Sequence, residues 1–325
     1  FAGAWPRRTP DSLFRYGFEM LKYLINRLFV QLPISLLGLT LIIFIFMTVS
    51  GDPATLMMPE DATPEEIETL RRNLGVDRPV IEQYGRFVWN ALHGDFGMSF
   101  RNREPAFDVM MRFFPATLEL AGAALLIGTL ISLPLGTLAA VKRGSVIDTA
   151  ATFISVLGQS MPVFWLGILA ILAFALTLGW LPVSGRGTIW HLIMPACVLG
   201  WYINAYMTRF VRSTMLETLN ENYIRTARAK GMPERIVIFR HAFKNAQVPL
   251  LTIWGLEAGS LLTGTVVIET VFAWPGLGRA AVIAVTARDY PVVLASAIMF
   301  GLTYILINLI IDLAYHWIDP RIREQ

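Results

Sequence analysis

"LAGAALLIGTLISLPLGTLAAVKRG" runs from Leu120 to Gly144, and its first 22 residues, Leu120–Val141, carry no Asp, Glu, Lys or Arg. About 20 apolar residues cross the hydrocarbon core of a bilayer as one helix, so this run is long enough to span. Lys142, Arg143 and Gly144 then stop it with two cations and a turn residue. Leu28–Gly51, Gly187–Thr208 and Tyr290–Ile311 repeat the pattern with 22 to 24 charge-free residues each. Thr149–Gly185 is charge-free for 37 residues and ends in GWLPVSG, with Trp180 at its edge. That end reads as a turn beside an interfacial anchor, so one span from Asp148 to Leu178 followed by a loop is expected. Asn245–Thr270, interrupted by Glu257, supplies the sixth span.

The expected fold is all-α and polytopic, with six transmembrane helices. Composition agrees: 55% of the 325 residues are hydrophobic and 16% charged, against about 25% charged in a soluble domain. Cations set the orientation, because Lys and Arg collect on the inner side of a membrane. With the N-terminus inside, 17 of the 27 Lys and Arg residues fall on inner segments, including Lys22, Lys142, Lys230 and Lys244. Both termini are then cytoplasmic. The net charge of +3 reflects this topology and gives no sign of a nucleic-acid partner. The segments expected are a cytoplasmic N-terminal stretch (1–27), a first span (28–50), an outer loop (51–113), a membrane core (114–315) with a cytoplasmic region at 213–248, and a tail (316–325). FAGAWPRRTPDSLFRYGFEMLKYL at the start shows no cleavage pattern and does not read as a signal peptide.

The outer loop holds eleven acidic residues and is too long for a plain connection. TPEEIETLRRNLG reads as a helix, with Thr63 as cap, Pro64 in first position and Gly75 as stop. Glu65, Glu66 and Glu68 make its start acidic and are candidates for docking an outer partner. PVIEQYGRFVWNALHG reads as a second amphipathic helix, with Val80, Ile81, Tyr84, Phe87, Val88 and Leu92 on one face.

Catalytic patterns are missing. There is no G-x-x-x-x-G-K-[ST] phosphate loop, no H-E-x-x-H and no G-x-S-x-G, and the four histidines are scattered. The sole cysteine, Cys197, lies in an apolar run and reads as a buried small side chain. Charged and amide side chains within spans are costly, and they tend to line polar cavities. Gln159, Glu257 and Asn308 are therefore candidates for a translocation path, and Pro162 is expected to bend the third span.

The polar stretch YIRTARAKGMPERIVIFRHAFKNAQVP, Tyr223–Pro249, lies between the fourth and fifth spans and carries Arg225, Arg228, Lys230, Arg235, Arg240 and Lys244. It reads as a helix ended by Gly231 and a second helix begun by Met232-Pro233-Glu234, projecting into the cytoplasm. A solvated basic face beside anionic lipid explains the charge, but leaves the Gly-x-Pro break and the small residues Ala227 and Ala229 without a reason.

This stretch resembles the cytoplasmic motif of permease subunits in binding-protein-dependent ABC importers, Glu-Ala-Ala followed by three residues and Gly. Arg225-Thr226-Ala227 and Gly231 occupy it, in a form similar to the peptide/nickel branch. SGDPA, NLGVDRPVIEQYGRF, GDFGMS, FPATLELA, QSMPVFWLG, ETVFAWPGLG, RDYPVV and DPRI follow the family's order along the chain. The long loop after the first span is similar to that of the first of the branch's two permease types. The resemblance implies a type I importer core forming half of a pathway for dipeptides or oligopeptides; glutathione, nickel chelates and opines are handled by similar permeases. It implies a second permease, two ATPase subunits and a periplasmic or lipid-anchored solute-binding protein, in a bacterial cytoplasmic membrane. No cofactor is implied for this chain; ATP and magnesium would belong to the ATPases. Tyr223, Arg225, Thr226, Ala227, Arg228, Ala229, Gly231, Met232 and Pro233 would form the helix that couples to them. A secondary transporter working alone and a membrane-embedded enzyme are the readings from other classes.

Overall fold

The computed structural model describes residues 26–49, 54–55, 58 and 62–318. The expected N-terminal segment, most of SGDPA and the DPRI tail lie outside these residues. Among the described residues the regular elements are all helices, and one isolated bridge joins Met98 to Pro105. A helix satisfies its backbone hydrogen bonds within one segment, which is what lipid demands.

Helix α1 (Leu32–Val49) follows a π-turn at Arg27–Gln31. Two short helices come next, α2 (Pro64–Leu74) and α3 (Val80–Leu92). The α2 cap is the one its sequence announces. Thr63 accepts from the Glu66 N–H, the Glu66 carboxylate accepts from the Thr63 N–H at 2.8 Å, and Gly75 closes the helix at φ 69°. Those Thr63 bonds hold the Glu66 carboxyl below the usual carboxylate range.

The core consists of α4 (Ala106–Val141), α5 (Val146–Ser160), α6 (Val163–Thr177), α7 (Ile189–Leu219), α8 (Asn222–Ala229), α9 (Glu234–Val271), α10 (Leu277–Thr286) and α11 (Tyr290–Ile318). By length and apolarity α4, α9 and α11 each suffice to cross a membrane, and α5 with α6 makes a fourth crossing if the pair is one span. Helices α1 and α7 stand where the first and fourth crossings are expected; Arg209, Arg212 and Glu217 make the inner half of α7 polar. Leu126, Leu130, Phe153, Leu176 and Ile310 are exposed around the bundle, as a lipid-facing surface requires.

One expectation is met sharply and one changes. The bend expected at Pro162 is present: α5 and α6 meet at 101° across Met161-Pro162. Pro162 takes the N-cap position of α6 with extended ψ 134°, so the α5 hydrogen-bond ladder stops there. Cys197 is exposed, because α7 turns Ala196, Leu199 and Gly200 inward and leaves position 197 on the outer side.

Helices α4 and α7 approach closely along glycines. A Cβ on Gly136 would stand 2.7 Å from the Thr208 carbonyl oxygen, and one on Gly200 would stand 2.9 Å from that of Ala124. Lipid is as apolar as a leucine side chain, so helices in a membrane associate through close packing of this kind. At the outer end two knots join distant segments. The buried Glu269 carboxylate accepts from the Thr117 hydroxyl at 2.6 Å and the Arg279 N–H at 2.9 Å, while Thr117 accepts from the Leu277 N–H. Buried Asp289 accepts from the Ser99 hydroxyl at 2.5 Å and the Phe100 N–H at 3.2 Å. The FPATLELA, ETVFAWPGLG, GDFGMS and RDYPVV stretches thus meet in space.

Gly136→Leu must force α4 and α7 apart or twist its own side chain, and overpacking of this sort costs about 1–3 kcal/mol. We expect a lowered melting temperature in detergent for Gly136→Leu. Gly122→Leu, with nothing within 4 Å of its added Cβ, should melt like the parent.

Candidate functional site

Helix α8 is eight residues long, too short to persist alone, so packing must hold it. Ile224 and Ala227, three residues apart, share one side and are buried at 0% and 6% exposure. They sit in an apolar cluster with Ala140 of α4, Val211 and Met215 of α7, and Val237, Ala242, Ala246 and Leu250 of α9. The ends of three long helices, α4, α7 and α9, therefore make the seat of α8. Arg212 on α7 grips Asp148 with two guanidinium nitrogens, and Asp148 also accepts from the Gly144 N–H at 2.9 Å, so the α4–α5 turn is tied to the same place.

The chain leaves α8 through a Schellman turn. The Gly231 N–H donates to the Arg228 carbonyl at 2.9 Å and the Met232 N–H to the Ala227 carbonyl at 3.3 Å. Gly231 has φ 75°, a left-handed conformation that costs a residue with a Cβ more than it costs glycine. Pro233 then caps the short helical turn that begins α9, one position earlier than the first helical position expected of it. Arg228 spans the turn to Glu234, with Nη2 to Oε1 at 2.6 Å and Nε to the same oxygen at 3.2 Å. The hydrogen bonds Arg228 donates to the Glu234 carboxylate raise its guanidinium above its already high ordinary value, so it stays charged at any working pH.

Of the residues assigned to this region from sequence, Tyr223, Arg225, Thr226, Arg228, Ala229, Gly231, Met232 and Pro233 are exposed. Ala227 is the exception: its methyl group packs inward on the seat. The result is a braced, solvent-facing knuckle of mixed basic, hydroxyl and small apolar character.

The other candidates are dispersed. Gln159 accepts from Arg209 on α7. Glu257 accepts from the Ser260 hydroxyl at 3.4 Å on its own helix. Asn308 donates to the Tyr304 carbonyl at 3.0 Å and lines a cleft of ≈ 480 Å³ between α1 and α11, with Gln31, Ser35 and Gly38 opposite. None of the three bonds another. A further feature escaped the sequence reading: Thr252, Leu256, Ser260, Thr263, Val267 and Thr270 are exposed along one side of α9, with Glu257 half-buried beside them. The recurrence of Thr and Ser at intervals of three, seven and eight was its signal. On α2, Glu66 serves the cap and Glu68 pairs with Arg71 at 3.0 Å, so Glu65 alone of the three acids has a carboxylate without a partner among the described residues. Among the described residues no three His, Cys, Asp or Glu side chains gather as metal ligands would.

Ala227→Trp should unseat α8, lower the melting temperature and open the loop to trypsin at Lys230, since the pocket under Ala227 is filled. Thr226→Trp, one residue away on the exposed side, should change neither readout.

Known proteins resemble this chain in sequence and in fold. Residues 132–324 match the family described as "Binding-protein-dependent transport system inner membrane component", and residues 20–121 match the N-terminal part of such membrane components. The chain is 39% identical over 339 residues to the dipeptide transport system permease protein DppB of Escherichia coli K12, covering 94% of this chain and 100% of the relative. It is 40% identical over 337 residues to the di/tripeptide transport system permease protein DppB of Pseudomonas aeruginosa, with the same coverage. Against the glutathione transport system permease protein GsiC of E. coli K12 it is 41% identical over 307 residues, again covering 94% and 100%. Among solved structures, an inward-facing MetNI methionine ABC transporter shares the fold at a TM-score of 0.56 and 18% identity, covering 65% of this chain and 96% of that one. On these matches the chain, an integral membrane protein, belongs to the family of binding-protein-dependent transport system inner membrane components.

Proposed function

We propose that this chain is a permease subunit of an ATP-driven importer, forming half of a transmembrane pathway for a small peptide. The observation that carries the reading is the α8 knuckle, seated on the ends of α4, α7 and α9 and braced by Arg228 and Glu234, with its polar face open to solvent. A rigid projection connected to three membrane helices is suited to receive a push from an ATPase and pass it to the bundle. Tyr223, Arg225, Thr226, Ala229 and Met232 would touch the ATPase; Ala227, Gly231 and Pro233 would shape the element beneath. ATP and magnesium would be held by two partner ATPase subunits.

In this reading six crossings place both termini inside a bacterial cytoplasmic membrane, beside a second permease. The hydroxyl-bearing side of α9 would face the pathway between the two permeases, because Glu257 beside it is costly against lipid. A solute-binding protein would deliver the substrate at the outer face, with Glu65 as the acid on α2 left available to meet it. Peptides of two or three residues are the substrate class favoured by the dipeptide and di/tripeptide relatives. Glutathione, itself a tripeptide with one unusual linkage, is the second reading and rests on the 41% identical relative.

Purification in mild detergent should bring down two nucleotide-binding subunits and a second permease. In the assembled complex with its binding protein, dipeptide should stimulate ATP hydrolysis. Thr226→Trp and Gly231→Trp should leave the chain inserted and remove most of that stimulation. Isolation of a single chain that transports peptide without nucleotide-binding subunits would overturn the reading.

A further inference from the structure

Helix α3 does not have the surface of a helix meant for water on its outer side. At about 100° per residue, Tyr84, Phe87 and Ala91 share one side, while Ile81, Trp89 and Leu92 extend the apolar arc around the helix. Glu82, Gln83, Arg86 and Asn90 hold the remaining side, where Glu82 pairs with Arg86 at 3.4 Å and with Arg78. Packing against α1 accounts for the first set. The Tyr84 hydroxyl donates to the Leu37 carbonyl at 3.1 Å and lies 3.2 Å from the Thr40 hydroxyl. The Phe44 ring meets Tyr84 at 5.3 Å and Phe87 at 6.1 Å between centroids. Among the described residues only the His93 ring, 4.6 Å from that of Trp89 between centroids, packs on the second set: Ile81 is 87% exposed, Leu92 71% and Trp89 65%.

The helix on which α3 rests is itself apolar on its open side. Thr40 and Phe44 form the row of α1 on which α3 rests, and the neighbouring row, Leu37, Leu41 and Ile45, is exposed and wholly apolar. An amphipathic helix whose apolar arc ends in a Trp next to its charged side is the form that settles at a membrane–water boundary. We propose that α3 is a membrane-seated helix whose Ile81, Trp89 and Leu92 are immersed in the outer leaflet, continuing the lipid-facing surface of α1. The segment between the first and second long helices is then only partly a platform for an outer protein. Its α2 half faces water, and its α3 half fixes that platform's height against the bilayer. This holds whatever solute the transporter carries.

The test uses the assembled transporter in lipid nanodiscs, with Cys197→Ser to remove the native thiol and a nitroxide attached at Ile81→Cys, Trp89→Cys or Leu92→Cys. Collision with oxygen, which concentrates in the bilayer, is compared with collision with water-soluble chromium oxalate. Oxygen should dominate at positions 81, 89 and 92, and chromium oxalate at Gln83→Cys and Arg86→Cys. If Trp89→Cys disturbs the helix, the more exposed positions 81 and 92 carry the test alone. Dominant chromium oxalate collision at 81 and 92 would overturn the proposal by placing that side in water. Shielding of both from either reagent would overturn it by showing a protein partner there.

Discussion

Along Gly128, Gly136 and Gly200 the backbones of α4 and α7 come within the reach of a single missing methyl group, and much of the molecule follows from that contact. A membrane interior offers no hydrophobic gain when two helices meet, so close backbone approach has to supply the attraction. With α7 fixed against α4, its inner end presents Val211 and Met215 beside Ala140, and α9 completes the seat under Ile224 and Ala227. The same end of α7 carries Arg212 to Asp148, which ties in the α4–α5 turn. The position of the α8 knuckle is thus inherited from glycines well inside the bundle.

The knuckle needs two properties that pull against each other. In the proposed coupling role it must be exposed to meet a partner, and it must be stiff enough to move the helices behind it. Burial of Ile224 and Ala227, the Schellman turn at Gly231 and the Arg228–Glu234 bridge provide stiffness while leaving the Thr226 side open. An exposed ion pair of this kind contributes only about 0–1 kcal/mol to stability. Its value here lies in geometry, since it fixes the angle between α8 and α9. The Glu269 and Asp289 knots do the equivalent work at the other end, fastening α10 and the start of α11 to α4 and the loop before it.

Local chemistry made several elements legible from sequence. Thr63, Pro64 and Glu66 announce the start of α2, Gly75 its end, and Gly231 with Pro233 the turn after α8. The charge-free runs place the long helices, although α7 and α1 are less clear crossings than α4, α9 and α11. What the sequence did not reveal was orientation about each helix axis. Ala227 belongs to the motif that implies a partner contact, whereas its spacing of three from Ile224 turns both inward. The apolar neighbourhood of Cys197 suggests burial but does not say which arc of α7 meets lipid. The outer knots join Ser99 to Asp289 and Thr117 to Glu269 across more than a hundred residues, and no local pattern encodes such pairings. Pro162 signalled a bend, but its size depends on how α5 and α6 pack, which is a tertiary matter.

The coupling role of α8 is most directly open to site-specific photocrosslinking in intact membranes. A photoreactive residue at Thr226 or Ala229, on the open side of the helix, should form a covalent adduct with a nucleotide-binding subunit. The same residue at Ile224, buried on the seat, should give none. Adducts from position 224 with none from 226 or 229, or adducts only to lipid, would contradict the assignment of this knuckle as the contact through which ATP hydrolysis reaches the membrane helices.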